Sequence, residues 1–212
     1  MSGEAVRDGA PGEGLRERKR RRTRQTISDT AIALFLARGF DAVPVTEIAA
    51  AADVSKPTLF RYFPAKEDLV LHRFADHETD PARAVRTRPP GATPLAALER
   101  YVLDGLARRD PVTGLNDLPE VLAFHRLVYG TPSLVARLYA FQGRSERALA
   151  EALGPGVRAR LAAGQIVAVL RILAEENARR ILAGESAEEV RPEAEAATRL
   201  AFEQLARGIG TE

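Results

Sequence analysis

Residues 46–66 constrain this chain more than any other stretch: Thr46-Glu47-Ile48-Ala49-Ala50-Ala51-Ala52-Asp53-Val54-Ser55-Lys56-Pro57-Thr58-Leu59-Phe60-Arg61-Tyr62-Phe63-Pro64-Ala65-Lys66. They read as two short helices joined by a tight turn. Thr46 suits the N-cap of the first, with Glu47 favourable in its first turn, and Ile48, Ala49 and Ala52 make a small inner face. Asp53 and Val54 form the turn. Ser55 caps the second helix, and Pro57 falls in its first turn, where the missing N–H had no partner to lose. Leu59 and Phe63, four residues apart, point inward. Lys56, Pro57, Thr58, Phe60, Arg61 and Tyr62 therefore lie on or near the outward face, where small polar and aromatic side chains replace the aliphatics of a core helix. Pro64 ends the helix.

The rest of the 212-residue chain also reads as helical. Residues 1–15 hold Gly3, Gly9, Pro11, Gly12 and Gly14 with few apolar groups, and are expected to be a disordered N-terminal tail. A helix should begin within the basic run that follows and continue to Arg38. Its apolar positions Ile27, Ala31, Leu34 and Phe35 share one face. Gly39 suits the left-handed position after the helix end, with Phe40 folding back on the last turn. A helix near Lys66 uses Leu69, Val70 and Phe74. Residues 79–94, with Pro81, Pro89, Pro90, Gly91 and Pro94, read as a linker or loop. Beyond them come helical segments at 95–109, 118–129, 133–153, 157–182 and 192–207, punctuated by Gly130-Thr131-Pro132 and Gly154-Pro155-Gly156. No strand-like alternation and no internal repeat stands out.

Charge is unevenly placed. Residues 16–24 carry seven Arg or Lys against the single acid Glu17. Residues 1–74 hold 13 basic and 10 acidic side chains, whereas residues 75–212 hold 18 and 19. A positive cluster at one end of a chain of net charge +2 points to a local polyanion contact. With no cysteine, disulfides, cysteine-type zinc fingers and thiol catalysis are excluded, which fits a cytoplasmic protein. No apolar run approaches the roughly 20 residues of a membrane span, so no membrane partner is expected.

A short helix, a turn and a second short helix, preceded by positive charge, suit entry into the major groove of double-stranded DNA. Lys56 can donate to guanine O6/N7, and the Thr58 methyl can meet a thymine methyl. Phe60 and Arg61 would contact bases or backbone, and Tyr62 a phosphate. Thr46 and Lys66, at helix N-termini, are candidates for phosphate contact. Arg20, Arg21 and Arg22 belong to a basic run that either extends the first helix or lies in a minor groove as an arm. The bland alternatives are a surface helix packed on a neighbour, simple capping, and a solubilising tail.

Phe35, Gly39, Phe40, Thr46, Ile48, Ala49, Ala52, Val54, Ser55, Thr58, Leu59, Phe63, Lys66 and Leu69, at these spacings, resemble the tetracycline-repressor-like (TetR) family of bacterial transcription regulators. The match covers about residues 20–74. The chain departs from the family at Asp53, where Gly is usual, and at Ala65, where Ser or Asn is frequent. The resemblance implies an all-α protein with an N-terminal three-helix helix-turn-helix DNA-binding domain (16–74) and a larger C-terminal helical ligand-binding and dimerisation domain (75–212). It implies a homodimer on a pseudo-palindromic operator, most simply a repressor, released when a small-molecule effector of apolar or amphipathic character binds.

Other residues carry open readings. Tyr101, Phe124, Tyr129, Tyr139 and Phe141 line a ligand pocket or belong to a helical core, and His125 is a core histidine or a polar group in such a pocket. Ile166, Val169, Leu170 and Leu173 sit on a segment apolar around nearly its whole circumference. With Leu200 and Leu205 on the last helix they suit a dimeric four-helix bundle, or a central core helix within one subunit. His72 and His77, with Asp76, Glu78 and Asp80, are poorly spaced for one helical face, so no metal and no cofactor is expected. No GxSxG, HExxH, P-loop or dinucleotide fingerprint appears, and the adjacent Glu175 and Glu176 face different sides of a helix, which argues against an enzyme. A sequence-indifferent architectural or RNA-binding protein is the remaining rival.

Overall fold

The computed structural model describes residues 14–75 and 77–208. The tail expected at residues 1–15 lies outside them, except for Gly14 and Leu15. Among the described residues the fold is all-helical: α1 (Leu15–Arg38), α2 (Val45–Ala51), α3 (Lys56–Tyr62), α4 (Asp68–Ala75), α5 (Asp80–Arg86), α6 (Pro94–Ala107), a 3-10 turn (Pro111–Thr113), α7 (Pro119–Tyr129), α8 (Pro132–Leu153), α9 (Val157–Leu182) and α10 (Ala187–Arg207). Two compact units form, divided at Leu69/Val70 within α4, a few residues before the 74/75 division expected from sequence.

In the N-terminal unit α1 supplies Ile27, Ala31, Ile32 and Phe35 to a core completed by Phe40, Val43, Ile48, Ala49, Leu59, Phe63 and Leu69, all buried. Each large side chain buried there contributes roughly 1.5–3 kcal/mol. Gly39 has φ +88°, and the chain turns so that the Phe35 and Phe40 rings meet at 4.9 Å. The α2–α3 turn is a Schellman motif: Val54 N–H reaches Ala49 O at 2.9 Å and Asp53 N–H reaches Ala50 O at 3.2 Å. Asp53 occupies the left-handed position, φ +53°, that glycine would fill without strain. Ser55 caps α3 by accepting from Thr58 N–H. Ala65 has no capping hydroxyl, but its N–H donates to Asp68 Oδ2 at 3.1 Å, so the first turn of α4 is tied from its other side. Ser28 Oγ donates to Leu69 O at 2.7 Å, fastening α1 to α4 in the core.

In the C-terminal unit α5 packs on α6 and α8, α8 on α9, α9 on α10, and α10 back on α6. Val85, Leu98, Leu106, Leu115, Leu149, Ile166, Ile181, Val190 and Phe202 make its core. Residues 79–94 are not all loop, as their prolines suggested: Pro81 sits in the first turn of α5 and Pro94 in that of α6, where proline starts a helix instead of breaking it. The last helix likewise begins before Pro192. Ser186 and Glu189 form a reciprocal capping box, which sets the start at Ala187 and leaves Pro192 inside the helix. Gly114 (φ +73°) brings the turn after Thr113 against α9, and Asn177 Nδ2 donates to Thr113 O at 2.9 Å across that contact.

Candidate functional site

The N-terminal unit presents one face of α3. Leu59 and Phe63 are fully buried beneath it, while Ser55, Lys56, Pro57, Phe60 and Arg61 are exposed and Thr58 and Tyr62 half-buried. Phe60 is 39% exposed, a large apolar ring left in solvent on a seven-residue helix. Ser55 Oγ accepts from Thr58 N–H at 3.2 Å and donates to Thr58 Oγ1 at 2.9 Å. That exchange fixes the Thr58 rotamer and leaves its own hydroxyl proton for an outside acceptor. Arg61 lies 5.7 Å from the Tyr62 ring.

Arg20, Arg21 and Arg22 are exposed on α1, which is helical through the whole basic run. Arg16, Lys19, Arg20 and Thr23 line a groove together with Arg61 and Tyr62. The cationic end of α1 and the end of α3 thus share one concave surface. Arg24 is turned inward, its guanidinium 5.3 Å from the Phe63 ring. Thr46 is exposed but one position inside α2, which starts after Pro44 and carries no side-chain cap. Lys66 precedes α4 and is drawn inward: Nζ donates to Phe40 O at 2.6 Å and lies 4.5 Å from the Phe40 ring.

The C-terminal unit holds a cavity of about 180 Å³. Tyr101 from α6, Tyr129 from α7 and Phe141 from α8 are among its walls, as are Leu170, Leu173 and Arg171 from α9 and His77 and Glu78 ahead of α5. Burial, then the nearby Asp80 and Asp110, pushes the Tyr101 phenol well above its ordinary range, and burial, then Glu175, raises Tyr129. Both therefore face the cavity as neutral donors. Its charged side chains are paired within the unit: Arg171 to Glu175 at 2.7 Å, Glu78 to Arg144 at 2.9 Å, and His77 Nδ1 to Asp80 Oδ2 at 2.9 Å.

The structure separates the aromatic candidates. Tyr101, Tyr129 and Phe141 line the cavity, whereas Phe124, His125 and Tyr139 do not. Phe124 packs at 5.8 Å on Phe74, itself a lining residue. His125 is buried between Phe124 and Tyr129, and burial lowers its pKa. Tyr139 is 53% exposed beside Arg171. The residues considered for a dimer face also divide. Ile166 is in the core of its own unit, Leu170 and Leu173 face the cavity, Val169 is half-buried, Leu205 packs on the core, and Leu200 is exposed. Leu161 and Ile172, both within the apolar segment read from sequence, are exposed together with Val157, which that reading did not single out; the three fall within about 60° of one another around α9. His77 and Asp80, weighed from sequence only as part of a metal cluster, meet as a pair three residues apart. No three metal-ligating side chains come together among the described residues, and none of the described helices is long and apolar enough to cross a membrane.

Residues 27–72 match the family model described as bacterial regulatory proteins, tetR family. The chain is 37% identical over 146 residues to the HTH-type transcriptional regulator TcmR of Streptomyces glaucescens, covering 66% of this chain and 64% of that protein. It is 32% identical over 103 residues to the HTH-type transcriptional repressor KstR of Rhodococcus jostii, covering 47% of this chain and 48% of that one. The chain therefore spans less than two thirds of either relative's length. A crystal structure of a TetR-family regulator from Streptomyces coelicolor superposes with a TM-score of 0.55 at 21% identity, covering 92% of this chain and 99% of that one.

Proposed function

For a chain that belongs to the tetR family of bacterial regulatory proteins, we propose the role of a ligand-responsive transcription regulator that binds an operator as a homodimer and acts as a repressor. One observation carries the reading: α3 buries Leu59 and Phe63 and turns Lys56, Pro57, Phe60 and Arg61 to solvent beside the cationic end of α1. In this reading α3 enters the major groove, and Lys56 and Thr58 meet base edges. Arg16, Lys19, Arg20 and Arg61 neutralise backbone phosphates. Lys66, already bound to Phe40 O, serves the shape of the head and not the DNA.

The stripe of Val157, Leu161 and Ile172 on α9 and the exposed Leu200 on α10 favour a second copy against these two helices. The cavity in the same unit favours an effector. An effector with different affinities for the DNA-competent and DNA-incompetent conformations shifts their populations, and operator DNA weakens effector binding by the same factor.

Selecting duplexes from a random pool and titrating the winner tests the reading. Thr58→Ala weakens the selected operator complex by about 1–3 kcal/mol and leaves random DNA little changed. Equal loss on both duplexes, or no preferred duplex at all, refutes it.

A further inference from the structure

The walls of the cavity say what kind of molecule they accept. Arg171 and Glu175, Glu78 and Arg144, and Arg83 and Asp80 neutralise one another in pairs. A charged guest would have to break one of these pairs or enter without a counter-ion, and both cost free energy where the pairs are partly buried. Three rings from three helices, Tyr101, Tyr129 and Phe141, offer aromatic surface. The cavity is about 180 Å³, and one of roughly 150 Å³ holds a benzene, so one or two fused rings fit.

His77 supplies the polar handle. Asp80 is 8% exposed and ion-paired through its other oxygen to Arg83 at 2.6 Å, so the carboxylate is fixed where His77 Nδ1 meets it. An ionised carboxylate only accepts, so Nδ1 carries the proton, and in the neutral ring Nε2 is an acceptor. A guest that satisfies Nε2 must donate.

We propose that the cavity binds an uncharged fused-ring aromatic alcohol of the naphthol class, its hydroxyl donating to His77 Nε2 while Asp80 holds the imidazole tautomer. The proposal rests on the reading of this cavity as the effector site and adds the chemistry of the effector. His77 is a binding residue and Asp80 a positioning residue.

Isothermal titration of the full-length protein with four probes tests it: 2-naphthol, naphthalene, 2-naphthoate and 2-naphthylmethylammonium. The wild type binds 2-naphthol roughly two- to thirteenfold more tightly than naphthalene, the worth of one net hydrogen bond. Each charged probe binds at least about tenfold more weakly than 2-naphthol. In His77→Leu the gap between 2-naphthol and naphthalene closes while naphthalene binding persists. A charged probe that equals 2-naphthol overturns the proposal. So does a gap that is absent in the wild type or survives in His77→Leu. In those cases some probe still binds and the effector-site reading stands. Failure of all four probes to bind overturns that reading as well.

Discussion

Neutralising the cationic end of α1 should change how operator affinity depends on salt. Arg16, Lys19 and Arg20 are exposed and line the groove shared with Arg61 and Tyr62. Substituting all three by glutamine keeps helix propensity and removes three charges per subunit, six in the proposed dimer. Each phosphate contact adds about 0.9 to the slope of log K against log salt, so the ceiling for the change is a slope shallower by about 5. A fourfold rise in salt, from about 50 to 200 mM, would then weaken the wild type roughly a thousandfold more than the variant. Fluorescence anisotropy of a labelled operator across that range reads the slope directly. Because the three side chains are exposed, the thermal melt should move by less than about 0.5 kcal/mol in stability. A slope altered by less than about one unit would refute the assignment of this groove to the DNA backbone.

Three further substitutions probe the scaffold. Asp53→Gly relieves a left-handed residue at φ +53° and should raise stability by about 0.5–1 kcal/mol in urea melts; a decrease would show that the turn carries no strain there. At Gly114 a Cβ would stand 2.0 Å from Ala174 O at φ +73°, so Gly114→Ala should lower stability by about 3–5 kcal/mol, and a loss under about 1 kcal/mol would refute the close approach to α9. Burial lowers the pKa of His125 from its ordinary value near 6.5, so below about pH 6.5 the unfolded chain binds the extra proton first and stability falls with pH toward the folded pKa, with no effect above that window. His125→Phe should flatten the curve of melting temperature against pH between about 7 and 5; an identical curve would exclude His125 as a source of acid sensitivity.

Much of the N-terminal unit was legible because its signals are local. Ser55 and Pro57 start α3, Gly39 closes α1, and Leu59 with Phe63 sets which face is outward; each acts within a few residues. Errors arose where one residue type serves two ends of a helix. Pro81 read as a breaker and begins α5, whereas Pro192 read as a start and lies inside α10, whose Ser186–Glu189 capping box was the better signal. The cavity was only half legible. Tyr101, Tyr129 and Phe141 line it while Phe124 and Tyr139 do not, and nothing in their spacing distinguishes them, since that depends on which helices pack together. The apolar run of α9 concealed three destinations: Ile166 in the core, Leu170 at the cavity and Ile172 in solvent.

The continuity of α1 has a consequence for how the charged end is aimed. Its 24 residues make a rod about 36 Å long, anchored toward one end by Ile27, Ala31 and Phe35 and carrying Arg16, Lys19 and Arg20 toward the other. Each residue turns the rod by about 100°, so the compass bearing of Arg16, Lys19 and Arg20 is set by how many residues separate them from Ile27. One inserted residue would swing all three to another quadrant with no charge altered, and seven would bring them almost back into line. In this segment the count of residues is as much an inherited trait as their identity.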